Sequence, residues 1–325
     1  MEATNDAGES VEEIEVQNEL RSKHYNAELV SLRRVHEDLI RIEVRPDQPF
    51  QSFEAGQYVA LGLGRWEPRV PGCQADVVDE SKRHKMVHRA YSISCPMLRD
   101  GHLRRVDAGD TLEFYIVLVR EASEPDGDPP LLTPRLFALS VGDRLKMQTK
   151  ITGRYTLQNI GPNEAVWMFG TGTGEAPHNA MVAELLSRDH RGPIINVTTV
   201  RHGVDLGYTE EHDELMRRHD NYCYLPLTTR DSINVDPEAP GYIGRRYMQQ
   251  AVTDGYLSEV TGFELSPANS HVFLCGNPAM IGYTPPGATP PTTPGMIQTL
   301  GELGFRSAED VEVDGPGVIR FEKYW

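Results

Sequence analysis

Residues 170–177 read Gly-Thr-Gly-Thr-Gly-Glu-Ala-Pro, and this stretch decides the fold of the second half of the chain. It follows an apolar run, Ala165 to Phe169, and precedes a predicted helix from about His178 to Ser187. Glycines let a backbone approach a phosphate, and a helix N-terminus adds free N–H groups. The spacing differs from the common dinucleotide pattern, so a tight turn without a ligand is the alternative. We expect Glu175 to point away from any phosphate.

Residues 161–325 alternate predicted strands and helices beyond this loop. Further strands are expected at 194–200, 222–227, 271–274 and 318–324, and helices near 210–219 and 245–259. Alternation of this kind is typical of a parallel sheet covered by helices. We therefore predict an α/β nucleotide-binding domain over 161–325.

Residues 23–160 have an all-β pattern instead. Short alternating segments at 26–32, 39–44, 58–63, 112–119 and 144–147 are separated by turn residues. Strands at this spacing indicate a closed antiparallel barrel. The predicted fold class is thus an antiparallel barrel followed by an α/β domain.

The first 22 residues are strongly acidic and predict a disordered tail. A short docked helix is the alternative, because Val11, Ile14 and Val16 offer some apolar surface. The stretch has neither the basic start nor the apolar core of a signal peptide, and no apolar run reaches about 20 residues. We expect a cytoplasmic protein without a membrane segment.

Charge and cysteine content exclude several other classes. The net charge of -16 argues against non-specific binding to nucleic acid. The four cysteines form no Cys-x-x-Cys pair, which argues against structural zinc or an iron–sulfur cluster. No metal site is predicted.

Two further motifs flank the glycine loop in sequence. Residues 89–92 read Arg-Ala-Tyr-Ser, where arginine suits a pyrophosphate, tyrosine a flat ring and serine a ring nitrogen. Residues 275–278 read Cys-Gly-Asn-Pro at the carboxyl end of a predicted strand, where parallel sheets bind ligands. Taken singly, the first could be an ordinary barrel strand and Cys275 a buried apolar thiol.

A dense basic run stands out in this acidic chain. It comprises Lys82, Arg83, His84 and Lys85, followed by His88 and Arg89. One interpretation is a solvated loop, and the other is a docking patch that speeds encounter with an acidic partner.

The ordered motifs identify a resemblance to the bacterial-type ferredoxin (flavodoxin)–NADP+ reductases, from about residue 24 to the last residue. The resemblance implies a flavin-binding barrel before a nucleotide-binding domain. It implies that Arg89 holds the FAD pyrophosphate, Tyr91 packs on the isoalloxazine ring and Ser92 lies near flavin N5. The implied FAD contacts are Arg89, Ala90, Tyr91, Ser92, Tyr115, Ile116, Val117, Leu118, Leu131, Leu132, Thr133, Thr173, Tyr324 and Trp325.

The same resemblance implies an NADP site, with Cys275 and Ser92 as the catalytic pair beside the hydride path. Three arginines able to converge suit the 2′-phosphate that NADP has and NAD lacks; surface arginines without a ligand are the alternative. The segment between Arg230 and Arg245 is longer than the family pattern. The implied NADP contacts are Gly172, Gly174, Val200, Arg201, Thr229, Arg230, Arg245, Asn277, Pro278 and Ala279.

The resulting hypothesis is a monomeric FAD enzyme that exchanges electrons between NADPH and ferredoxin or flavodoxin, docking near Lys82, Arg83 and Lys85. One alternative is an NAD(P)H-dependent flavin or oxygenase-type reductase with another acceptor. A second is a non-catalytic flavoprotein subunit, and a third is an interaction module without a cofactor. Cofactor preference and turnover with an artificial acceptor distinguish them.

Overall fold

The computed structural model describes residues 11–50, 52–77, 79–104, 110–124, 126–284, 293–309 and 315–324. The strands are β1 Ala27–His36, β2 Leu39–Pro46, β3 Tyr58–Gly64, β4 Met86–Ser92, β5 Leu98–Arg99, β6 His102–Leu103, β7 Leu112–Val117, β8 Arg144–Met147, β9 Ala165–Thr171, β10 Ile194–Val200, β11 Tyr222–Thr228, β12 Ser270–Gly276, β13 Arg306–Ser307 and β14 Val318–Lys323. The helices are α1 Val11–His24, α2 Thr133–Leu136, α3 Glu175–Ser187, α4 Thr209–Arg218, α5 Ser232–Val235, α6 Met248–Thr253, α7 Tyr256–Thr261, α8 Pro278–Ile281 and α9 Met296–Glu302.

The chain divides into two compact units. The first contains Met1–Phe53, Tyr58–Ser92 and Gly109–Thr152, and the second contains Glu54–Gln57, Ile93–Ala108 and Gly153–Trp325. The last segment of the first unit ends at Thr152, eight residues before the domain boundary expected at residue 160. Residues 153–160 lie with the second unit because, for example, the Gln158 carbonyl accepts a hydrogen bond from Arg320.

The first unit is built on a six-stranded antiparallel sheet with the strand order β4-β3-β8-β1-β2-β7. Alternating apolar residues direct Leu29, Ile40, Ile42, Leu61 and Phe114 into its core, where each is almost fully buried. This confirms the predicted all-β antiparallel first half. Strand β7 ends at Val117, two residues before the expected end at Val119.

The N-terminal segment differs from the expected disordered tail. Residues 11–24 form α1, and the prediction of disorder is wrong for this part; residues 1–10 lie outside the described residues. The half-buried or buried positions 13, 14, 16, 17, 20, 21 and 24 mostly recur at helical spacing and give the helix a packed face. Acids in its first turn and bases in its last turn also complement the helix dipole.

Helix α1 is held by the loop that follows β3. Arg21 donates two hydrogen bonds to the Glu67 carboxylate, and the Tyr25 hydroxyl donates a third at 2.8 Å. The Tyr25 ring stacks on Trp66 at 6.2 Å between centroids. The structure therefore shows the docked helix that the apolar residues Val11, Ile14 and Val16 suggested as the alternative. Polar contacts dominate its attachment.

The second unit contains a six-stranded sheet with the order β11-β10-β9-β12-β14-β13, and neighbouring strands in it are parallel. Apolar side chains from the sheet and its helices form one buried cluster, which includes Trp167, Phe169, Ile195, Leu274 and Ile319. The predicted α/β second half is confirmed. The carboxyl ends of β9, β10, β11 and β12 lead into the loops that carry the motifs.

Two helices differ from the expected bounds. Helix α3 begins at Glu175 rather than near His178, because Pro177 falls in its first turn, where proline is tolerated. The single helix expected over 245–259 is two short helices, α6 and α7, since Gly255 between them adopts a left-handed conformation with φ of 78°. Within the described residues, no helix is long and apolar enough to cross a membrane.

Candidate functional site

The Arg-Ala-Tyr-Ser motif forms the end of β4, an edge strand of the first unit. Its residues pair with β3 in the register Leu61 with Arg89, Val59 with Tyr91 and Tyr58 with Ser92. Arg89 and Ala90 are exposed, whereas Ser92 is buried. Arg89 donates to the His88 carbonyl, and no carboxylate in the described part of the chain pairs with it. The edge therefore offers an unpaired guanidinium beside a partly exposed aromatic ring.

The two other segments predicted to line the flavin are residues 115–118, at the end of β7, and residues 131–133, further along the chain. Strand β7 is the edge strand opposite β4 in the sheet. Tyr115, Ile116 and Leu118 are buried, and Val117 is exposed. Thr133 joins the second segment to the first, since its hydroxyl accepts a hydrogen bond from the Val119 N–H at 3.1 Å. Leu131 and Leu132 precede it, with Leu132 buried.

A buried ion cluster holds this turn in place. The Arg135 guanidinium donates to the Leu131 carbonyl at 2.5 Å and to the Asp76 carboxylate at 3.0 Å. Asp76 also accepts from Arg65, and these hydrogen bonds lower the pKa of its carboxyl despite the opposing effect of burial. The loop after β3 is thus fastened to the Leu131–Thr133 turn, a connection that the sequence did not reveal.

In the second unit, the glycine loop packs directly against the Cys-Gly-Asn-Pro motif. A Cβ added at Gly174 would lie 2.3 Å from the Cys275 carbonyl oxygen, so only glycine fits there. Asn277 donates its backbone N–H to the Thr171 hydroxyl at 2.8 Å. By contrast, Gly172 has φ of 53° and open space on its Cβ side. The loop is therefore tight where it meets β12 and accessible at Gly172, as a phosphate loop requires.

The C-terminal strand contributes to the same place. The Tyr324 hydroxyl donates to the Thr173 carbonyl at 3.3 Å, and its backbone N–H donates to the Gly276 carbonyl. Cys275 is fully buried beside Tyr324, and burial raises the pKa of its thiol. A neutral thiol is not a nucleophile at neutral pH, so covalent chemistry at Cys275 is disfavoured. Trp325 lies outside the described residues.

One residue of this cluster was missed in the sequence. Glu322 on β14 is the register partner of Cys275 on β12, and burial raises the pKa of its carboxyl. A group with such a perturbed pKa next to the motif is a functional candidate. Only the parallel register of β12 and β14 reveals it, and a single sequence does not give that register.

Glu175 lies where the sequence analysis expected it. Its carboxylate is fully buried and accepts hydrogen bonds from His212 Nε2 at 2.9 Å and from the Tyr224 hydroxyl at 2.8 Å. Tyr222 in turn bonds the other ring nitrogen of His212 at 2.7 Å. The carboxylate thus faces α4 and β11, which leaves the glycine loop to its backbone N–H groups.

The three arginines assigned to NADP are linked through the ends of β10 and β11. The Arg201 carbonyl accepts from the backbone N–H groups of Thr229 and Arg230, and Arg245 Nε donates to the Thr229 carbonyl at 3.0 Å. The Val200 carbonyl accepts from the Thr229 hydroxyl. All three arginine side chains are exposed, and none has a carboxylate partner among the described residues. The loops therefore present unneutralised positive charge on an acidic protein.

The remaining assigned residues lie at the start of α8. The Asn277 side chain accepts from the Ala279 N–H at 2.8 Å and caps this short helix, with Pro278 as its first residue. Away from both motifs, Lys82, Arg83 and Lys85 are exposed on the loop before β4. Arg83 forms an ion pair with Glu13 of α1 at 2.6 Å, so its charge is partly compensated.

Comparisons with known proteins find similar oxidoreductases. Residues 168–285 match the family described as oxidoreductase NAD-binding domain. The flavodoxin/ferredoxin–NADP reductases of Shigella flexneri and Escherichia coli are each 29% identical to this chain over 236 residues, which are 73% of this chain and 79% of the relative. A ferredoxin NADP+ reductase from Neisseria gonorrhoeae, solved with bound FAD and NADP, has a similar fold, with a TM-score of 0.66, 18% identity and coverage of 92% of this chain and 98% of that one.

The fold is ferredoxin reductase-like, and residues 168–285 match an oxidoreductase NAD-binding domain. The chain is a homologue of the bacterial flavodoxin/ferredoxin–NADP reductases, which confirms the resemblance identified from its motifs.

Proposed function

We propose that this chain is an FAD-dependent enzyme that exchanges electrons between NADPH and a small one-electron carrier, ferredoxin or flavodoxin. The observation that carries the proposal is the group of three exposed arginines, linked at Thr229 and without carboxylate partners among the described residues. In a chain of net charge -16, such a group suits a dianionic phosphate. We choose ferredoxin or flavodoxin as the carrier because the similar proteins are flavodoxin/ferredoxin–NADP reductases.

The residues of the first unit fit the flavin. The exposed Arg89 would bind the pyrophosphate, and the Tyr91 ring would pack on the flavin ring. Ser92 would donate a hydrogen bond near the reacting ring nitrogen. The Leu131–Thr133 turn, fixed by Arg135, would contact phosphate, and Tyr115 to Leu118 would line the site. When bound, the flavin supplies a ring that takes two electrons from a nicotinamide and passes single electrons to a carrier.

The residues of the second unit would hold NADPH. Arg201, Arg230 and Arg245 would bind the 2′-phosphate, while Gly172 leaves the loop open to the pyrophosphate and Gly174 allows it to pack on β12. Asn277, Pro278 and Ala279 would contact the nicotinamide side. We assign to the buried Cys275 thiol the role of a neutral wall of the hydride path, with Tyr324 beside it and with the Glu322 carboxyl, whose pKa burial raises, as its register partner.

The carrier would dock on the basic run of Lys82, Arg83 and Lys85, because ferredoxins and flavodoxins are acidic. Opposite charge increases the association rate more than the affinity. The enzyme would act as a monomer, in the cytoplasm where NADPH is available.

The test compares Arg230→Ala with the wild type in steady-state kinetics with NADPH and NADH. The loss of a charge-assisted hydrogen bond to phosphate should raise the KM for NADPH by about 10- to 100-fold and leave the KM for NADH almost unchanged. Arg217→Ala is the matched control, because Arg217 is exposed but paired with Glu214. An equal effect of Arg230→Ala on both nucleotides would remove the 2′-phosphate from the proposal.

A further inference from the structure

The segment between Arg230 and Arg245 contains a buried polar side chain that the proposed function does not use. Asn234 is only 4% exposed, although its neighbour Val235 is 46% exposed and the three arginines around the segment are exposed as well. Buried amides are normally retained because both ends of the amide have partners. Asn234 therefore has a structural task within this loop.

The Asn234 amide closes the base of the loop. Its Oδ1 accepts a hydrogen bond from the Thr228 hydroxyl at 2.6 Å, and its Nδ2 donates to the Gly244 carbonyl at 3.2 Å. The Ile233 carbonyl accepts from Ile243 and Gly244 on the same side. These bonds join the last residue of β11 to the residue that precedes Arg245.

The closed base determines where Arg245 stands. With Gly244 held against Asn234, Arg245 reaches back and donates Nε to the Thr229 carbonyl at 3.0 Å. One of the five guanidinium N–H donors is used in this bond, which leaves four donors on an exposed side chain.

Asp231 fixes the other side of the same loop. Its carboxylate accepts from His202 Nδ1 and from the Gly203 N–H, both at 3.0 Å. The loop after β10, which carries Arg201, is thereby fastened to the loop after β11, which carries Arg230. Although Asp231 is adjacent to Arg230, it is bonded to His202 and Gly203.

We propose that Asn234 is a specificity-determining positioning residue, which holds Arg245 beside Arg230 and so completes the site for a nucleotide 2′-phosphate. The inference rests on the proposed function, because it concerns the same arginines. Without the amide, the base of the segment 231–244 loses two hydrogen bonds and keeps only the backbone bonds to the Ile233 carbonyl, so Arg245 is held less firmly and part of its ordering must occur at the moment of binding. Ordering at that moment weakens affinity for the phosphate that Arg245 contacts.

The test is calorimetric titration of the flavin-loaded protein with 2′,5′-ADP and, separately, with 5′-AMP, which lacks the 2′-phosphate. Asn234→Ala should weaken the binding of 2′,5′-ADP by about tenfold, the effect of one lost charge-assisted contact, and leave 5′-AMP unchanged. Val235→Ala is the matched control in the same short helix and should bind both probes as the wild type does. In kinetics, the KM for NADPH should rise while kcat stays constant.

The outcomes separate this inference from the proposed function. If the wild type binds 2′,5′-ADP no better than 5′-AMP, the 2′-phosphate site itself is wrong. If the wild type discriminates and Asn234→Ala discriminates equally well, the role of Asn234 is wrong while the proposed function stands. Should Asn234→Ala not fold, Thr228→Val removes one of its two bonds. That variant should weaken 2′,5′-ADP binding about threefold, and unchanged binding would overturn the inference.

Discussion

At the scale of single residues, the proposed chemistry rests on a few side chains of the two motifs. Arg89 is a cation without a carboxylate partner in the described chain, and Ser92 is a buried hydroxyl at the end of an edge strand. Cys275 is a fully buried thiol whose raised pKa keeps it neutral. Arg89 and Ser92 differ from the usual residues of an exposed edge strand. Burial alone is ordinary for a cysteine, so the role proposed for Cys275 rests on its contact with the glycine loop.

The hydroxyl of Ser92 is expected to matter for rate rather than for cofactor binding. Replacing Ser92 with Val should slow flavin reduction by NADPH by about 100-fold, because a hydrogen-bond donor at the reacting atom is lost. The bound flavin should stay in place, since valine suits a strand. Stopped-flow absorbance measures the rate, with Ser94→Ala as control, because that hydroxyl bonds Tyr208 instead. An unchanged rate in Ser92→Val would exclude the role.

The buried His178 is expected to lower the free energy of unfolding as the solution becomes acidic. It is fully buried and bonded to the Tyr155 hydroxyl at 2.7 Å, and burial lowers its pKa from 6.5 to about 3. Because the folded-state pKa is depressed, the unfolded chain binds more protons below pH 6.5. The stability that the neutral ring contributes is therefore present above pH 6.5 and lost as the pH falls toward 3.

The variant His178→Gln isolates this effect. Its free energy of unfolding should fall less steeply than that of the wild type between pH 6.5 and 5, by up to about 1.4 kcal/mol per pH unit for one proton. Urea denaturation at several pH values provides the measurement. Other buried histidines, such as His190 and His271, titrate in both proteins and cancel. Parallel pH profiles would show that His178 does not titrate on unfolding.

The motifs could be assigned from the sequence because their chemistry is local. Glycines at 170–174 and the Arg-Ala-Tyr-Ser strand carry their signal in residue type and order. Glu322 could not be found in this way, because its relation to Cys275 exists only in the register of two parallel strands. Asn234 was equally hidden, since an Asn in a polar loop is ordinary until it is seen to be buried.

At the scale of elements, the sequence predicted the strands of both sheets except β4, which its pattern leaves open, and β13. It failed where side chains outside an element decide its form. The acidity of residues 1–22 outweighs a weak apolar pattern and predicts a disordered tail, whereas residues 11–24 form α1. Its attachment depends on Glu67, some 40 residues away, which pairs with Arg21 and Tyr25. Gly255 indicates the break between α6 and α7, but the helical pattern on either side of it favours a single helix in the sequence.

The loop after β3 is expected to support the flavin turn through Asp76. Replacing Asp76 with Asn leaves Arg65 and Arg135 without their buried counter-charge, which should lower the free energy of unfolding by about 3 kcal/mol. Because Arg135 also holds the Leu131 carbonyl, FAD should dissociate more readily. Denaturation and flavin-release titrations test both. Asp79→Asn, an exposed acid in the same loop, is the control, and equal behaviour of the two variants would contradict the account.

The ion pair between Arg83 and Glu13 of α1 changes how much each residue of the basic run is expected to contribute to docking. Arg83 is paired with Glu13, whereas Lys82 and Lys85 are exposed with no carboxylate pair in the described structure. At low salt, Lys82→Ala and Lys85→Ala should each raise the KM for ferredoxin about two- to fivefold, and Arg83→Ala should have a smaller effect. The differences should disappear at high salt. Equal KM values in all variants at low salt would remove this run from the docking surface.

At the scale of the whole molecule, two units with different sheets carry two different halves of the proposed chemistry. The all-β unit supplies the edge strand and turn assigned to the flavin, and the α/β unit supplies the glycine loop and arginines assigned to NADPH. The order of these units follows from the change of sequence pattern near residue 160. The electron acceptor depends on surface charge and on partner proteins, so it is identified by kinetics with candidate carriers rather than by the fold.

The most direct test of the central claim is stopped-flow reduction of the purified protein's flavin absorbance by NADPH and, separately, by NADH. The account predicts a flavin spectrum that bleaches with NADPH at least about tenfold more efficiently than with NADH, since the unpaired arginines recognise the 2′-phosphate. Equal efficiency would contradict the assignment of the arginine cluster. A protein that shows no flavin spectrum even after the addition of FAD would contradict the proposed function as a whole.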